Sequence, residues 1–538
     1  MKKTIALVIA LAVTATAWGQ EPRDTPRKPP KLILQITVDA LRGDLPFRYL
    51  SRFSERGFRL FLDHGIWYAA ARHDHAEYET IVGHSTLATG AWPSRHGMIT
   101  NTAFENSITG GVTPNGIVVT TFSDELNITT AGQAKIFAVS VKDRGAVPMA
   151  GHTGKAFWYS DKTGCFGTSA FYYATAPQWV TDWCGRHPAD KYANTSWVLL
   201  QPRPQYLFRD VTNVYPKGSP AEANMAMLDM LGFNRTFPHP LGSGTTLYRN
   251  LTLAPQGDEL TANFAMDLIK QEGLGRDDVP DYLAISFSLT DYIGHWFSPT
   301  SLESEDNLLR LDRTLQTLFA YVDDVVGAGN TLIVLSADHG APEYPEYLAT
   351  IGVPTGRVAQ KDVLAAATAA VAAAFKTSDP LIKSYSPPYF FLDHAMIEKH
   401  NLTSAQVEAV VAEAAMSVPG IAVAASISQV LDGGGPADDE MLSHIRRNYF
   451  HGRSGDVHVI PAPQWQIDSE GGGPKLLNHS FTWSYDAFVP IAFTGTGLPQ
   501  MMIYRSVSTT DVAATLASYV KTKFPSGNVG VPLAEVVK

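Results

Sequence analysis

The stretch KLILQITVDALR, residues 31–42, decides the fold. The run from Leu32 to Val38 is typical of a strand buried on both faces, and the acid Asp39 follows it directly. The same pattern recurs in DYLAISFSLTDYIGH, which places Asp291 after an apolar run, and in NTLIVLSADHG, which leads to Asp338. In an open parallel sheet, ligands bind beyond the carboxyl ends of the strands. The three acids are therefore predicted to lie together at one edge of a sheet.

Helical segments are predicted between these strands. Apolar spacing indicates helices from about Glu259 to Gln271 and from about Glu303 to Val326, on either side of a strand expected to run up to Asp291. Other patterns indicate a helix over Phe47–His64 and a hairpin over Phe157–Ala170. This alternation predicts an α/β fold with a mostly parallel central sheet flanked by helices on both faces.

The first thirty residues are typical of an exported protein. Two lysines precede an apolar stretch from Thr4 to Ala15, and small residues follow as far as Gly19. This pattern predicts a signal peptide over residues 1–19 and a polar linker over residues 20–30. The alternative, a membrane anchor, is disfavoured because the run falls short of the ~20 residues that span a bilayer. No other stretch of the sequence is predicted to span a membrane, so the mature protein is expected to be periplasmic or secreted.

Residues 31–538 are interpreted as one domain with two insertions. From about residue 181 to residue 256 the chain is rich in Pro, Gly, Asn, Trp and Tyr and has weak periodicity, which indicates a surface insertion. A second insertion near residues 361–433 contains two alanine-rich helices. The oligomeric state is left open by the sequence.

Composition narrows the classes of partner and of metal site. A formal net charge of -10 disfavours a nucleic-acid partner because no basic surface offsets the phosphate charge. The two cysteines, Cys165 and Cys184, suit one disulfide in an oxidising compartment, with a free buried pair as the alternative. The sequence has no C-x-x-C metal motif, so metal binding must depend on Asp and His side chains.

The candidate metal ligands are three acids and three histidines. They are Asp39, Asp291, His295, Asp338, His339 and His479. Zinc accepts both ligand types and takes about four ligands, and a catalytic zinc keeps one position open. Six side chains are too many for one such ion and suit two, with Thr80 and substrate completing the shells. The sequence therefore predicts two Zn²⁺ per chain, although manganese and iron accept overlapping ligands and stay open as alternatives.

Thr80 stands at the predicted start of a helix with the sequence IVGHSTLATG. One explanation is an N-cap, in which the hydroxyl serves the helix alone. The other is a nucleophile held in the positive field of the helix N-terminus, facing an anion. Two metals about 4 Å apart stabilise the attacking and the leaving oxygen in phosphoryl transfer, and a metal beside Thr80 would lower the pKa of its hydroxyl. The nearby acids favour the nucleophile.

Taken as a set, the motifs resemble a known family. They are T-V-D near the start, T-x-x-G-H, an asparagine shortly after H-G, S-x-x-D-x-x-G-H, S-A-D-H-G, and N-H-S before V-P-I. K-D-R-G-A, G-H-T and G-R-S-G-D add to the likeness, which runs over nearly all of residues 31–538. The sequence is similar to the alkaline phosphatase superfamily, and most of all to its threonine-nucleophile, PafA-type periplasmic branch, related to type I phosphodiesterases and nucleotide pyrophosphatases.

The resemblance implies a role for each matching residue. One zinc would be held by Asp291, His295 and His479, and the other by Asp39, Asp338 and His339, with Thr80 bridging toward it. Thr80 would form a covalent phosphothreonine, Asn101 would hydrogen-bond a phosphoryl oxygen, and Lys162 would be a charged clamp on the phosphate. The implied enzyme is an exported two-zinc alkaline phosphatase that hydrolyses small phosphate monoesters.

One position departs from the pattern of the monoesterase branch. In the monoesterase branch, which this chain resembles, an arginine follows two positions beyond the lysine. This chain has Gly164 at that position. A doubly charged monoester then lacks a bidentate partner. Arg144 or a residue of the insertions is a candidate substitute. The alternatives are a phosphodiesterase or nucleotide pyrophosphatase with the same metals and nucleophile, and an exported pseudoenzyme that binds phosphate without turnover. A sulfatase is disfavoured because the nucleophile position has no C/S-x-P-x-R motif.

Overall fold

The computed structural model describes residues 28–107, 111–433, 439–468 and 477–538. The predicted signal peptide and most of the predicted linker lie outside these ranges. Among the described residues, no helix combines the length and the apolar character that a membrane crossing requires.

The strands and helices of the described residues are as follows, in chain order. The strands are β1 Leu32–Val38, β2 Gly65–Arg72, β3 Ile136–Ser140, β4 Lys155–Ser160, β5 Cys165–Gly167, β6 Ser196–Trp197, β7 His239–Pro240, β8 Asp281–Phe287, β9 Thr331–Ser336, β10 Gly356–Ala359, β11 Ile382–Ser386, β12 Tyr389–Leu392, β13 Ile421–Ser426, β14 Val457–Pro461, β15 Trp465–Asp468, β16 Ile491–Gly495 and β17 Met501–Ser508. The helices are α1 Leu45–Arg48, α2 Arg59–His64, α3 Thr80–Thr89, α4 Pro93–His96, α5 Asn101–Ser107, α6 Phe122–Thr129, α7 Asp143–Ala150, α8 Gln178–Gly185, α9 Pro220–Met230, α10 Gly244–Asn250, α11 Gln256–Glu272, α12 Leu289–Phe297, α13 Leu302–Val325, α14 Pro345–Thr350, α15 Gln360–Phe375, α16 His394–Lys399, α17 Ser404–Met416, α18 Ile427–Leu431, α19 Glu440–Asn448, α20 Ser484–Ala487, α21 Asp511–Tyr519 and α22 Ala534–Val537.

The central sheet has nine strands in the order β17-β2-β16-β9-β1-β8-β3-β4-β5. Strand β1 lies at its middle and pairs in parallel with β8 on one side and β9 on the other. Only β16 and β5 run against the other strands. The predicted mostly parallel sheet is confirmed. Because parallel neighbours share one direction, the chain segments after β1, β8, β9 and β3 all emerge at the same edge.

Helices cover both faces of this sheet, as predicted. Leu34 and Ile36 of β1 belong to one apolar core, which includes side chains of α11 and α13. Ile33 of β1 belongs to a second core, which includes side chains of α3, α7 and α21. Burial of both faces explains why β1 reads as a nearly continuous apolar run.

Strand β8 is shorter than predicted. It ends at Phe287, and Asp291 lies in the first turn of α12 instead of at a strand end. The reason is a capping interaction from a distant helix, because a carboxylate oxygen of Asp258 accepts hydrogen bonds from the amides of Ser288 (3.1 Å) and Leu289 (3.4 Å). These contacts satisfy N–H groups that open the helix.

The prediction of one continuous helix over Phe47–His64 is also wrong. It is divided into α1 and α2, with a 3-10 turn at Leu50–Arg52 and irregular backbone between them. The carboxylate of Asp312, on α13, accepts hydrogen bonds from the amides of Ser54 (2.7 Å) and Phe58 (2.8 Å). A side chain distant in sequence therefore takes the amides that a continuous helix would have used.

The region predicted as a first insertion packs on the outer side of α13. The indole of Trp197 donates to Asp306 at 2.6 Å, and the amide of Leu200 donates to the same carboxylate at 2.7 Å. The predicted hairpin is present as β4 and β5. A disulfide joins Cys165 of β5 to Cys184 of α8, so the alternative of a free pair is wrong.

A separate lobe lies above the sheet edge and is longer than the insertion predicted near residues 361–433. Its antiparallel sheet has the order β11-β12-β14-β13, and α15 and α17 pack against it around an apolar core of their own. Strand β14 belongs to this sheet and lies beyond residue 433, so the lobe extends past the predicted boundary. Arg453 fastens the lobe to the body through hydrogen bonds to the carbonyls of Gly97 (2.6 Å) and Gly116 (2.7 Å).

Removal of the disulfide is expected to destabilise the protein. The bond closes a loop of 19 positions between β5 and α8. We expect the double substitution of Cys165→Ser and Cys184→Ser to lower the free energy of unfolding by about 2 to 4 kcal/mol, because the unfolded chain regains the entropy of that loop. Thermal unfolding of both proteins measures the change. An equal melting temperature would contradict it.

Helix α3 packs so closely that Gly83 is expected to tolerate no larger side chain. A Cβ atom at this position would overlap the carbonyl oxygen of Asp338. We expect Gly83→Ala to destabilise the fold by about 1 to 3 kcal/mol, as in other overpacked cores. Gly294→Ala in α12 is the matched control, because a Cβ there meets no neighbour within 4 Å. Thermal unfolding compares the two, and equal losses would refute the close packing at Gly83.

Candidate active site

The predicted metal ligands lie together at the edge of the sheet where its parallel strands end. The structure arranges their ligand atoms in two groups, each with atoms within 4.8 Å of one another. One group is Asp39, Asp338 and His339, and the other is Asp291, His295 and His479. This division matches the one that the resemblance implied, although coordination of a metal by these residues stays a prediction.

The first group follows β1 and β9 and is fully buried. Nε2 of His339 lies 3.4 Å from Oδ1 of Asp39 and 3.4 Å from Oδ2 of Asp338. Nδ1 of His339 donates to the carbonyl of Gly340 at 2.8 Å, which leaves a lone pair on Nε2. Neither this Nε2 nor Oδ1 of Asp39 has a hydrogen-bond partner in the described chain.

The second group is built on α12 and the segment after residue 477. Oδ1 of Asp291 lies 3.2 Å from Nε2 of His295 and 3.2 Å from Nε2 of His479. Nδ1 of His295 donates to the carbonyl of Leu477, and Nδ1 of His479 donates to the carbonyl of Tyr78 at 2.6 Å. Nδ1 of both imidazoles is therefore taken by a carbonyl, and Nε2 of each faces Asp291, the arrangement that metal-ligating histidines adopt.

Both groups fit a zinc ion. Bonds of about 2.0 to 2.1 Å in a tetrahedron place neighbouring ligand atoms about 3.3 Å apart. The histidine-to-carboxylate distances of 3.2 and 3.4 Å in the two groups are close to that value. Buried polar atoms without a hydrogen-bond partner, such as Oδ1 of Asp39, are otherwise rare. The rings of His339 and His479, one from each group, stack with their centroids 3.6 Å apart. Two neighbouring cation sites therefore fit the donor set.

Three buried carboxylates concentrate negative charge here. Burial, together with the charge of Asp338, raises the pKa of Asp39 well above its usual range. Although burial acts in the opposite direction, His295 and Lys142 hold the pKa of Asp291 well below its usual range. Lys142 offsets part of this negative charge, since its Nζ lies 2.6 Å from Oδ2 of Asp39 and also contacts Asp291. The same Nζ donates to Oγ1 of Thr80 at 3.3 Å.

Thr80 is the first residue of α3, and its hydroxyl does not cap the helix. The N-cap is Glu79, so the interpretation of Thr80 as an N-cap is wrong. Asn101, predicted to bind a phosphoryl oxygen, lies beside it, since Oδ1 of Asn101 accepts from the amide of Ile81 at 3.2 Å. Nδ1 of His84 lies 2.9 Å from the carbonyl of Thr80 and 3.2 Å from Oδ2 of Asp338. His84 thus ties the helix start to one ligand group.

Lys162 is the one predicted site residue that stands apart. It is exposed at the tip of the β4–β5 hairpin and does not line the cavity that contains Thr80. Gly164, in the same turn, has a φ of +68°, and a Cβ there would overlap the ring of Tyr248. The insertion thus fills the space beside Gly164 with an aromatic ring, whose hydroxyl donates to Asp190 at 3.0 Å.

A cavity of about 440 Å³ lies over the second group and Thr80. Its lining includes Thr80, Asn101, Arg144 and Tyr292, together with ligand residues of the second group. Lys142 and Arg144 are the lysine and arginine side chains among the described residues that line it. The cavity can hold a small anionic substrate against the hydroxyl of Thr80.

Sequence reasoning assigned no role to Lys142, His84 or Asp258. Lys142 lies two residues after β3, and Arg144 lies two positions beyond it, so the lysine–arginine spacing expected at positions 162 and 164 is found in the cavity lining at 142 and 144. His84 lies four residues after Thr80 and therefore on the same helix face. Asp258 had no signal in the sequence, because its partners lie about 30 residues away, after β8.

Comparisons with known proteins identify the family. The model of the type I phosphodiesterase / nucleotide pyrophosphatase family matches residues 33–486. A relative from Myroides odoratus named calcium-transporting ATPase is 32% identical, with 95% of each chain covered. Alkaline phosphatase PafA from Elizabethkingia meningoseptica is 31% identical, with 99% of this chain and 98% of that protein covered. The crystal structure of wild-type alkaline phosphatase PafA matches with a TM-score of 0.84 and 30% identity, covering 95% of this chain and 99% of the other.

The matches span nearly the whole chain and include every predicted ligand and Thr80. They confirm the predicted family and the predicted enzyme class, phosphoric ester hydrolase. The chain belongs to the type I phosphodiesterase / nucleotide pyrophosphatase family and has the fold of a PafA-like alkaline phosphatase.

Proposed function

We propose that this protein is an exported two-zinc alkaline phosphatase that hydrolyses small phosphate monoesters through a phosphothreonine at Thr80. The observation that carries the proposal is the placement of Thr80 beside two ligand groups whose spacing suits zinc. Lys142 connects both ligand groups with Thr80, since it contacts Asp39 of one group, Asp291 of the other and the hydroxyl of Thr80.

The metal ions would be held by the two groups. Asp39, Asp338 and His339 would bind one zinc, and Asp291, His295 and His479 the other. When bound, the ions lower the pKa of the hydroxyl beside them and neutralise charge on the attacking and leaving oxygens.

In the first step, Oγ1 of Thr80 attacks the phosphorus of the bound ester. A bond forms between Oγ1 and phosphorus while the bond from phosphorus to the ester oxygen breaks. The departing oxygen gains a proton from water and leaves as an alcohol, and the hydroxyl proton of Thr80 passes to solvent. Lys142 stabilises the oxygen of Thr80 as it loses its proton, because its charged amine already donates to Oγ1.

In the second step, water attacks the phosphorus of phosphothreonine. The bond to Oγ1 breaks, Thr80 recovers a proton, and inorganic phosphate leaves. Asn101, at the start of α5 and hydrogen-bonded to the first turn of α3, would hold a non-bridging oxygen in both steps. Lys162, exposed at the hairpin tip, stays a predicted second cation for the same group.

Export and substrate class complete the proposal. The pattern of residues 1–19 and the disulfide between Cys165 and Cys184 support an oxidising, extracytoplasmic location. The names of the relatives, alkaline phosphatase and ATPase, both describe hydrolysis of a phosphoryl group. A cavity of about 440 Å³ suits small phosphate esters.

A phosphodiesterase is the second candidate. It is favoured by the matching family model, which is that of type I phosphodiesterases and nucleotide pyrophosphatases. The ratio of hydrolysis rates for an aryl phosphate and its methyl diester separates the two candidates.

Substitution of Thr80 tests the nucleophile. We expect Thr80→Ala to reduce hydrolysis of an aryl phosphate by at least about 1,000-fold, because the covalent route is lost. Thr80→Ser keeps a hydroxyl and is expected to retain activity. Acid-quenched wild type should carry phosphate on Thr80 by mass spectrometry. Hydrolysis that survives Thr80→Ala would refute the proposal, and zinc-loaded wild type without turnover would support a phosphate-binding pseudoenzyme.

Metal content tests the two ligand groups. We expect the wild-type protein to hold about two zinc ions per chain, as six ligands imply, and Asp39→Asn to hold about one and to lose activity. Chelation should abolish turnover and lower the melting temperature, because bound metal stabilises the folded state. Asp323→Asn, on the surface beside Arg56, is the control. Zinc content that is equal in Asp39→Asn and the control would contradict the assignment.

A further inference from the structure

The lobe packs on the two chain segments that carry Thr80 and His479. Its apolar core includes a side chain from each segment, Ala76 and Phe481, and both are buried. Ala76 precedes Thr80 by four residues, and Phe481 follows His479 by two. The lobe is therefore in contact with the approach to the candidate nucleophile and with the approach to one candidate metal ligand.

A buried histidine of the lobe faces the first of these segments. His458 lies on β14, an inner strand of the lobe's sheet, and its Nε2 is 3.1 Å from Oε1 of Glu77. Both side chains are excluded from water, and neither the carboxylate oxygens nor the ring nitrogens have a hydrogen-bond partner elsewhere in the described chain. Burial raises the pKa of Glu77 well above its usual range and lowers the pKa of His458 to about 3. Each group therefore depends on the other for its polar contact.

Helix α19, which packs against the lobe's core, holds the same segment through its last two residues. Oδ1 of Asn448 accepts a hydrogen bond from the amide of Glu77 at 3.2 Å, and Nδ2 of Asn448 donates to the hydroxyl of Tyr389 on β12 at 2.8 Å. Arg447 donates to the carbonyl of Asp74 at 2.9 Å. The lobe thus holds Glu77 through both its backbone and its side chain.

The residues that follow Glu77 belong to the candidate active site. The carbonyl of Tyr78 accepts from Nδ1 of His479 at 2.6 Å and so orients that imidazole. Thr80, two residues further on, opens α3 and presents the candidate nucleophile. A shift of Glu77 would therefore move the hydroxyl of Thr80 and the support of His479 together.

A buried acid and histidine are a costly way to fasten two parts of a protein. Removing both groups from water costs free energy that their mutual contact repays only in part, and apolar side chains of similar volume often stabilise as well or better. A polar contact differs in having a defined direction and distance, so it fixes one arrangement of the two parts. The pair of Glu77 and His458 is suited to setting position and not to adding stability.

We propose that Glu77 and His458 are positioning residues, through which the lobe holds Thr80 and the carbonyl of Tyr78 in the arrangement that the reaction needs. The inference rests on the proposed function. It gives the lobe a part in catalysis although its described side chains do not line the cavity over Thr80.

Kinetics with a matched control test the proposal. We expect His458→Ala to lower kcat for an aryl phosphate by about 10- to 100-fold, the loss that a misplacement of about 1 Å causes. KM should change by less than about 3-fold, because the side chains that line the cavity stay in place. His458→Gln keeps a nitrogen donor near the position of Nε2 and is expected to retain most of the activity.

The control is Glu408→Ala, which removes a buried carboxylate within the lobe alone. Glu408, on α17, accepts from Oγ of Ser426 at 2.7 Å and from the amide of Ser428 at 2.8 Å. We expect this substitution to lower the melting temperature, as His458→Ala does, and to leave kcat unchanged. Equal losses of kcat in the two variants would overturn the positioning role, because they would show a general effect of a weakened lobe.

Zinc affinity provides a readout that does not depend on turnover. Competition with a chelator of known affinity measures the Kd of both ions. We expect His458→Ala to raise the Kd of one zinc by about 10-fold, since groups that orient ligand histidines have effects of this size. Glu408→Ala should leave both affinities unchanged. Unchanged zinc affinity and unchanged kcat in His458→Ala would overturn the inference.

A double substitution tests whether the two residues act through one contact. The loss of kcat in Glu77→Ala with His458→Ala should be no larger than the larger of the two single losses, and additive losses would overturn the inference. Asn448→Ala provides the same test if His458→Ala does not fold, because it removes the bond to the amide of Glu77. It is expected to lower kcat and zinc affinity, and a lack of effect on both would count against the proposal.

The experiment separates this inference from the proposed function. A wild-type protein that hydrolyses no phosphate ester would refute the proposed function and the inference with it. A wild-type protein that hydrolyses esters, with a kcat and a zinc affinity that do not depend on His458, refutes only the inference.

Discussion

Three carboxylates buried at one edge of the sheet are the constraint on which this structure depends. Asp39, Asp291 and Asp338 are almost fully excluded from water, and like charges in such surroundings repel strongly. One buried lysine, Lys142, offsets part of that charge. The remaining charge and the Nε2 atoms of three histidines define a place for cations. Elements from all parts of the chain are held together around this place.

The histidine contacts show how the fold fixes the site. Each of His295, His339 and His479 donates through Nδ1 to a backbone carbonyl, and two of these carbonyls belong to distant segments, at Leu477 and Tyr78. Orientation of the imidazoles therefore depends on the packing of whole loops. Helix α3 is held in the same way, because Gly83 allows its backbone to approach Asp338. The packing of loops and of α3 therefore determines the positions of the candidate metal ligands at this edge of the sheet.

The sequence was most informative where function follows directly from a local pattern. An apolar run ending in an acid located Asp39 and Asp338, because buried parallel strands leave a clear signal and their ends converge. It failed where a distant side chain decides the local structure. Asp258 ends β8 early and Asp312 breaks a predicted helix, and neither effect is visible in local spacing. The far boundary of the lobe was missed for the same reason, since β14 joins its sheet from beyond the predicted insertion.

The residue at position 164 is determined by the backbone of its turn and by a neighbouring aromatic ring. A left-handed backbone at φ +68° and the ring of Tyr248 suit glycine there and exclude a large side chain. Tyr248 belongs to the insertion, whose Asp190 accepts a hydrogen bond from its hydroxyl, so the packing of the insertion determines which side chain fits this turn. In the described part of the chain, the cations that line the cavity beside Thr80 are Lys142 and Arg144, which come from the start of α7. Positive charge suited to a phosphoryl group therefore stands at the edge of the sheet, beside the ligand groups, and not at the hairpin tip.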